Sequence, residues 1–210
     1  VRANLPGVPP HPPPVARNND TMTKTILLLS GWARSGKDAA AALLEEEKGW
    51  HRTAFAEPLK ACVARVTGLP AELFHTAAKD WPLPAPCPLY PTARTPRDLL
   101  LQHALRDRAV DPDVYARPVL QQILESPPDA TEWVISDWRY RREADYIAEM
   151  IAATSEPVRL LRGRVLRPGV VPSADPSEHD LDDELMDIVI HNAGSISDLR
   201  DALRCVSSHM

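Results

Sequence analysis

The chain has 210 residues, 44% of them hydrophobic, a formal net charge of -5, and cysteines only at Cys62, Cys87 and Cys205. That length suits one well-buried domain and is short for two, and the negative balance excludes a protein drawn as a whole to nucleic-acid polymers or to an anionic membrane surface. The few cysteines, odd in number and without metal-ligand spacing, exclude a disulfide scaffold and fit free thiols in the reducing cytoplasm.

Residues 1–21 are a material apart, rich in proline and unable to bury enough surface to order themselves. They read as a solvated extension in which "PPHP" is only a weak PxxP signal. Met22 follows directly and is a candidate natural start. Residues 22–210 then read as one domain. The N-terminus has no apolar segment of the kind that directs secretion, and no apolar run is long enough to span a bilayer.

"KTILLLS" is a short apolar, β-prone run that reads as a strand buried on both faces. "DAAAALLEEEKG" is strongly helical and ends at Gly49. "HRTAFA" is a weak second strand, and "EPLKACVARVTG" an amphipathic helix with Leu59, Cys62, Val63 and Val66 on one stripe. "KDWPLPAPCPLYPTAR" is a proline-rich excursion too long for a passive connector. "TPRD" opens a helix with Thr95 as cap and Asp98 as its reciprocal partner, and "DPD" at Asp111 reads as the same device for the next helix. "EWVIS", "VRLLRG" and "DIVIHN" are further strands, and "SISDLRDALRCV" closes the chain as a capped helix. Strands alternating with helices predict an α/β fold with a five-stranded parallel sheet, flanked by helices through right-handed crossovers. Ligands then belong beyond the C-terminal strand ends, where Ser30, Asp137 and Asn192 fall.

The first strand breaks into "SGWARSGKD". Gly31 and Gly36 are separated by four residues, and Lys37 follows. The glycines let the backbone curl so that the N–H groups of Trp32, Ala33, Arg34 and Ser35 turn inward. The helix that follows adds the positive end of its dipole, and Lys37 reaches the β- and γ-phosphates of a bound nucleotide. Position 38, where such loops carry Ser or Thr, is Asp38. A carboxylate there ligates Mg²⁺ directly or through water, or it caps the helix; the two readings share one geometry.

These residues resemble the deoxynucleoside monophosphate kinases of large DNA viruses and phages. The likeness continues through "FAEPLKACVARVTGL", "KDWPL", "TPRDLLLQ", "WVISDWRYRREADYI" and "DPSEHDLDDELMDIVIHNAGSISDLRDAL", covering nearly everything from Lys24 to Leu203. Animal-type phosphomevalonate kinases share the loop, the "PLK" segment, the strand end at Asp137 and Arg139, and the acidic stretch before "VIHN". Either resemblance implies a P-loop fold like that of the nucleoside monophosphate kinases, with a lid and an acceptor-binding helical insertion. Either implies ATP, Mg²⁺ and transfer to a phosphate monoester. The viral likeness further implies a small nucleotide substrate, deoxynucleotide biosynthesis in a host cytoplasm, and a chain that could pair as a homodimer.

Transfer between two anions needs cations around the moving group. Arg34 lies in the loop, Lys60 opens the second helix, and Lys79 lies in the excursion. Arg94 and Arg97 flank the capped helix, and Arg139 follows the third strand. Arg97 and Arg139 stand out because they fall at element ends on the ligand edge and match the family pattern. Asp137 ends an apolar strand and reads as a water-mediated Mg²⁺ ligand, as a residue orienting the acceptor, or as a cap for the next helix. A base is not needed, because an acceptor phosphate is already deprotonated near neutral pH. Residues 162–184 read as a lid whose Arg162, Arg164 and Arg167 close over the triphosphate while Glu178, His179 and Asp180 anchor the closed form. The acids after His179 read as a solvated helix face. Asn192 reads as an adenine contact or a turn residue. Gln102 reads as a base contact, with Trp81 or Tyr90 stacking on the ring, or as an exposed helical amide. The rival from another class is a GTP switch or an inactive nucleotide-binding module; the lack of an NKxD motif speaks against the first, Lys37 and the arginines against the second.

Overall fold

The computed structural model describes residues 23–204 and 206. The proline-rich extension and Cys205, expected to be a free thiol, lie outside the described residues. Five strands, β1 (Lys24–Ser30), β2 (His51–Thr53), β3 (Glu132–Ile135), β4 (Val158–Leu166) and β5 (Ile188–His191), form one sheet in the order β2-β3-β1-β4-β5. Every pairing is parallel, as the alternation of elements predicts. The helices are α1 (Lys37–Lys48), α2 (Ala56–Thr67), α3 (Glu72–His75), α4 (Pro96–Val110), α5 (Ala116–Leu124), α6 (Arg141–Ala153) and α7 (Ile196–Ala202). No helix among the described residues is long and apolar enough to cross a membrane.

β1 is central, and all seven of its residues are buried. Its side chains alternate between two cores, as a strand's period of two dictates. Ile26 and Leu28 join Phe55, Phe74, Leu99, Ile123 and Ile147 on one face. Leu27 and Leu29 join Leu44, Trp50, Ile190 and Leu199 on the other. Registers Leu28↔Ile135 and Ser30↔Arg164 bring the C-terminal ends of β1, β3 and β4 side by side. The loops after these strands therefore share one edge of the sheet.

Helix starts follow their caps where the cap is reciprocal. Thr95 and Asp98 form a capping box at α4, and Ser195 and Asp198 another at α7. Asp111 departs from expectation. Its carboxylate accepts the Asp113 N–H, but its residue ends α4, and α5 begins only at Ala116. An Asx turn and a helix cap use the same bond, and only the backbone that follows separates them. The α2 stripe is also narrower than its pattern. Leu59 and Val63 are buried, Cys62 is intermediate, and Val66 is exposed.

Candidate active site

The loop between β1 and α1 is built from unusual backbone. Gly31 has φ 146° and Gly36 φ 100°, both in the region that favours glycine. A Cβ on Gly31 would lie 2.5 Å from Ser35 Oγ and 2.7 Å from the Val165 carbonyl, and one on Gly36 would lie 2.3 Å from Asn192 Nδ2. Arg34 also has positive φ, at 68°, and its side chain is exposed. Arg34 lies outside the cleft described below, so its expected reach to the transferring group is not part of this conformation. Two buried polar atoms of the loop, Trp32 Nε1 and Ser35 Oγ, have no hydrogen-bond partner, an arrangement that proteins keep for a reason.

Asn192 explains part of the loop's shape. Its Nδ2 donates to the Ser35 carbonyl at 2.8 Å, its Oδ1 accepts the Gly194 N–H at 3.1 Å, and the residue is buried. The expected adenine contact gives way to the turn role, with a clamp on the phosphate loop added. The amide is consumed inside the protein.

Lys37 is buried at the start of α1. Burial pulls its pKa down, opposed first by Asp38, whose carboxylate lies 4.0 Å away. An anion in the loop would remove that penalty. Asp38 makes no cap hydrogen bond; the carboxylate is 70% exposed and stands 3.7 Å from Arg52 Nη2. Among the described residues no group of three or more acids, histidines and cysteines could hold a metal by itself. An exposed hard-oxygen ligand beside the loop nevertheless fits an Mg²⁺ carried in on phosphates, which characteristically takes only one or two protein carboxylates.

Beyond Lys37 opens a cleft of 530 Å³. One wall is apolar, with Phe55, Leu59, Phe74, Leu100, Leu101 and Ala104 from α2, α3, α4 and the segment before α2. Lys60, Lys79, Arg97 and Arg139 also line it, as the sequence predicts, together with Asp38 and Asp137. Arg97 is paired with Asp80 through Nε at 2.5 Å and Nη2 at 3.1 Å, so a short 3₁₀ turn (Ala77–Asp80) is tied to the start of α4. Arg94 and Gln102 do not line the cleft. Arg94 donates to the Pro91 carbonyl, and the Gln102 Oε1 accepts from Thr92 Oγ1 at 3.1 Å. Trp81 is exposed away from the cleft, while Tyr90 is buried with its hydroxyl on His103 Nδ1. No ring of the expected stacking pair faces the cavity.

Asp137 follows β3 and lines the cleft. Its Oδ1 accepts the Phe55 N–H at 2.7 Å and its Oδ2 the Ala56 N–H at 2.9 Å. It thus holds the start of α2, not the helix after it. Burial raises its pKa, against the pull of those two N–H groups. Arg139 lies at the same edge, with Nη1 3.4 Å from Ser177 Oγ.

Three charged residues escape the sequence reading. Glu143 is buried and takes the Arg139 and Tyr140 N–H groups on Oε2, with Arg108 Nη2 3.1 Å from Oε1. Burial, with Asp137 nearby, pushes its pKa up to about 7. Arg108 lies over the rings of Tyr115 and Tyr140. Arg52, on the edge strand, reaches Asp38. Glu143 sits at the third position of a helix that follows a strand end, a signal that could have found it. Arg108 is one of several arginines on α4, and nothing local separates it from its neighbours.

The expected lid needs two corrections. Arg162 and Arg164 belong to β4, which runs on to Leu166, so the connecting segment begins at Arg167. There is no helix bearing the acids. Pro176–Glu178 form a short 3₁₀ turn and residues 179–183 are turns; Asp182 pairs with His179 at 2.9 Å, and Glu184 is shared by Arg141 and Arg162 at 3.4 and 3.5 Å. Glu178, His179 and Asp180 do make anchoring contacts. Glu178 accepts the Ala33 N–H of the phosphate loop at 3.0 Å and the Ser173 N–H at 2.7 Å, and Asp180 accepts the Arg141 N–H. His179 bridges Asp182 and the Ser173 carbonyl, which raises its pKa. Arg164 donates to the Leu181 carbonyl at 2.5 Å beside Gly31 and Trp32.

A parallel sheet of this order with a phosphate loop after its central strand settles the architecture. The chain is an α/β domain with a five-stranded parallel sheet and a glycine-containing loop after its central strand. No family model matches the chain, and no curated protein matches its sequence. Among solved structures, the APS kinase of Mycobacterium tuberculosis is similar at 14% identity, with 89% of this chain and 98% of that one covered and a TM-score of 0.44. A gluconokinase from Sinorhizobium meliloti is similar at 11% identity, with 90% and 95% covered and a TM-score of 0.41. The strand order and the loop, and not these distant overlaps, define the fold.

Proposed function

We propose that the protein transfers the γ-phosphoryl group of ATP to the phosphate of a deoxynucleoside monophosphate. The observation that carries this reading is one cleft lined both by Lys37 of the phosphate loop and by Arg97 of α4, with further cations and apolar side chains in its lining. The loop amides and Lys37 hold the triphosphate. Lys60, Arg97 and Arg139 receive the acceptor phosphate, and guanidinium forks suit its oxygens. The apolar wall takes the base or another flat apolar group. Mg²⁺ supplies charge neutralisation when it enters with ATP, and Asp38 is the ligand placed to hold it. The moving group passes in line between two sets of cations, and positioning and electrostatics do most of the work.

A phosphate acceptor is favoured by the cations that line the cleft, not by Asp137. Each oxygen of Asp137 accepts one backbone N–H and keeps a free lone pair, so the carboxylate is still able to take a hydroxyl proton from an alcohol. A phosphate acceptor needs no such base. The segment 167–187 shields the reaction from water through Glu178 and Asp180.

The test is a coupled assay with ATP, Mg²⁺ and a panel of ribo- and deoxynucleoside monophosphates, with phosphomevalonate included. Turnover with one or more deoxynucleotides is expected. Turnover with phosphomevalonate alone transfers the protein to the rival family, and nucleotide binding without any turnover makes it a non-catalytic module. Lys37→Ala should cut turnover by at least about 100-fold with the fold intact by circular dichroism. Near-normal activity would refute the loop assignment.

A further inference from the structure

Asp38 places a negative charge where phosphate loops carry a neutral hydroxyl, on an exposed side chain that lines the cleft. Two cations face it. Lys37 Nζ lies 4.0 Å from Oδ2, and Arg52 Nη2 lies 3.7 Å from Oδ1. Arg52 belongs to β2 and lies in register with Val134 of β3, so the sheet fixes its backbone independently of the loop. Its side chain is 32% exposed, and both partners line the same cleft. An exposed ion pair of this kind contributes little to folding. Its consequence is electrostatic: without Arg52 the carboxylate would face incoming phosphates with only Lys37 to offset it, and Lys37 is the group those phosphates need.

We propose that Arg52 is the positioning residue that makes an aspartate workable at the end of this phosphate loop. Its guanidinium offsets the Asp38 charge and holds the carboxylate on the β2 side, which leaves Lys37 free for the nucleotide. The inference rests on reading the loop as a nucleotide site. It requires Arg52 to act through Asp38 and not on the phosphates directly.

A double-mutant cycle separates those two roles. The readout is the affinity for a fluorescent ADP analogue, titrated without metal and with Mg²⁺, for the wild type, Arg52→Ala, Asp38→Ser, the double variant and Arg52→Lys. Arg52→Ala should weaken metal-free binding by about tenfold, and in the Asp38→Ser background by less than about twofold. Arg52→Lys, which keeps the charge, should recover most of the loss. Equal losses in both backgrounds, or no loss in the first, overturn the proposal while the nucleotide site stands. If the wild type binds no ADP analogue, the nucleotide reading falls and this inference with it.

Discussion

Glu143 shows how one side chain carries several duties at the cleft. It closes the cap of α6, receives Arg108, and accepts the Arg139 N–H, yet it is buried beside Asp137. Burial dominates and lifts its pKa from 4.5 to about 7. The raised value means that the folded protein holds a proton at this site more tightly than the unfolded chain does. The associated stability is fully present below about pH 4.5 and is lost as pH rises through about 7, by roughly 1.4 kcal/mol for each unit of difference. Glu143→Gln carries no titrating proton, so its denaturation midpoint should fall less than that of the wild type between pH 5 and pH 8. Parallel curves for the two proteins would show that Glu143 titrates with an ordinary value. Arg108 tempers the effect, and its removal should enlarge the wild-type slope over the same window.

At the scale of elements, the connection between β4 and β5 is packed through Leu181, which is buried in the core, and tied down by side-chain bonds around it. Glu178 joins two backbone N–H groups, one on the phosphate loop and one at Ser173. Burial would raise its pKa, but those bonds hold it below the usual range, so the carboxylate stays ionised at neutral pH. Glu178→Ala should raise the KM for ATP roughly tenfold, the worth of one charge-assisted hydrogen bond, and speed amide exchange at Ser173. Unchanged exchange at Ser173 would mean that the segment is held by Asp180 and Glu184 instead. This connection is also where sequence reasoning was weakest. β1 was legible because an unbroken apolar run between polar flanks has few other solutions, and α4 was legible because its cap is reciprocal. β4 hid its second half, since Arg162 and Arg164 alternate with Gly163 and Val165 and look like a basic loop. Their charges are met by partners distant in sequence, Glu184 and the Leu181 carbonyl, which no local pattern reveals. The turn role of Asn192 was legible, but its clamp on the loop was not, because its partner Ser35 is 157 residues away.

The whole molecule carries a net negative charge, so any positive field at the cleft must be local. The fold supplies it from two directions. The phosphate loop, with β4 and β5 behind it, presents Lys37, while α2, α4 and the 3₁₀ turn present Lys60, Arg97 and Lys79. The two sets meet at the end of β3, where Asp137 holds the start of α2 and Arg139 lies on the edge shared with β1. Substitutions in one set should therefore leave the other set's ligand largely alone. Arg97 gives the clearest case, because it lines the cleft from α4 and not from the loop. Arg97→Ala should raise the acceptor KM by about 10-fold to 100-fold, the range for losing a charge-assisted pair, and change the KM for ATP less than about twofold. The substitution also frees Asp80, so the 3₁₀ turn loses its tie to α4, and Asp80→Ala serves as the control for that loss. If Asp80→Ala raises the acceptor KM as much as Arg97→Ala does, the pair is scaffolding for the cleft wall. If only Arg97→Ala does so, the guanidinium meets the acceptor, and the exposed ion pair with Asp80 is the bond that substrate replaces.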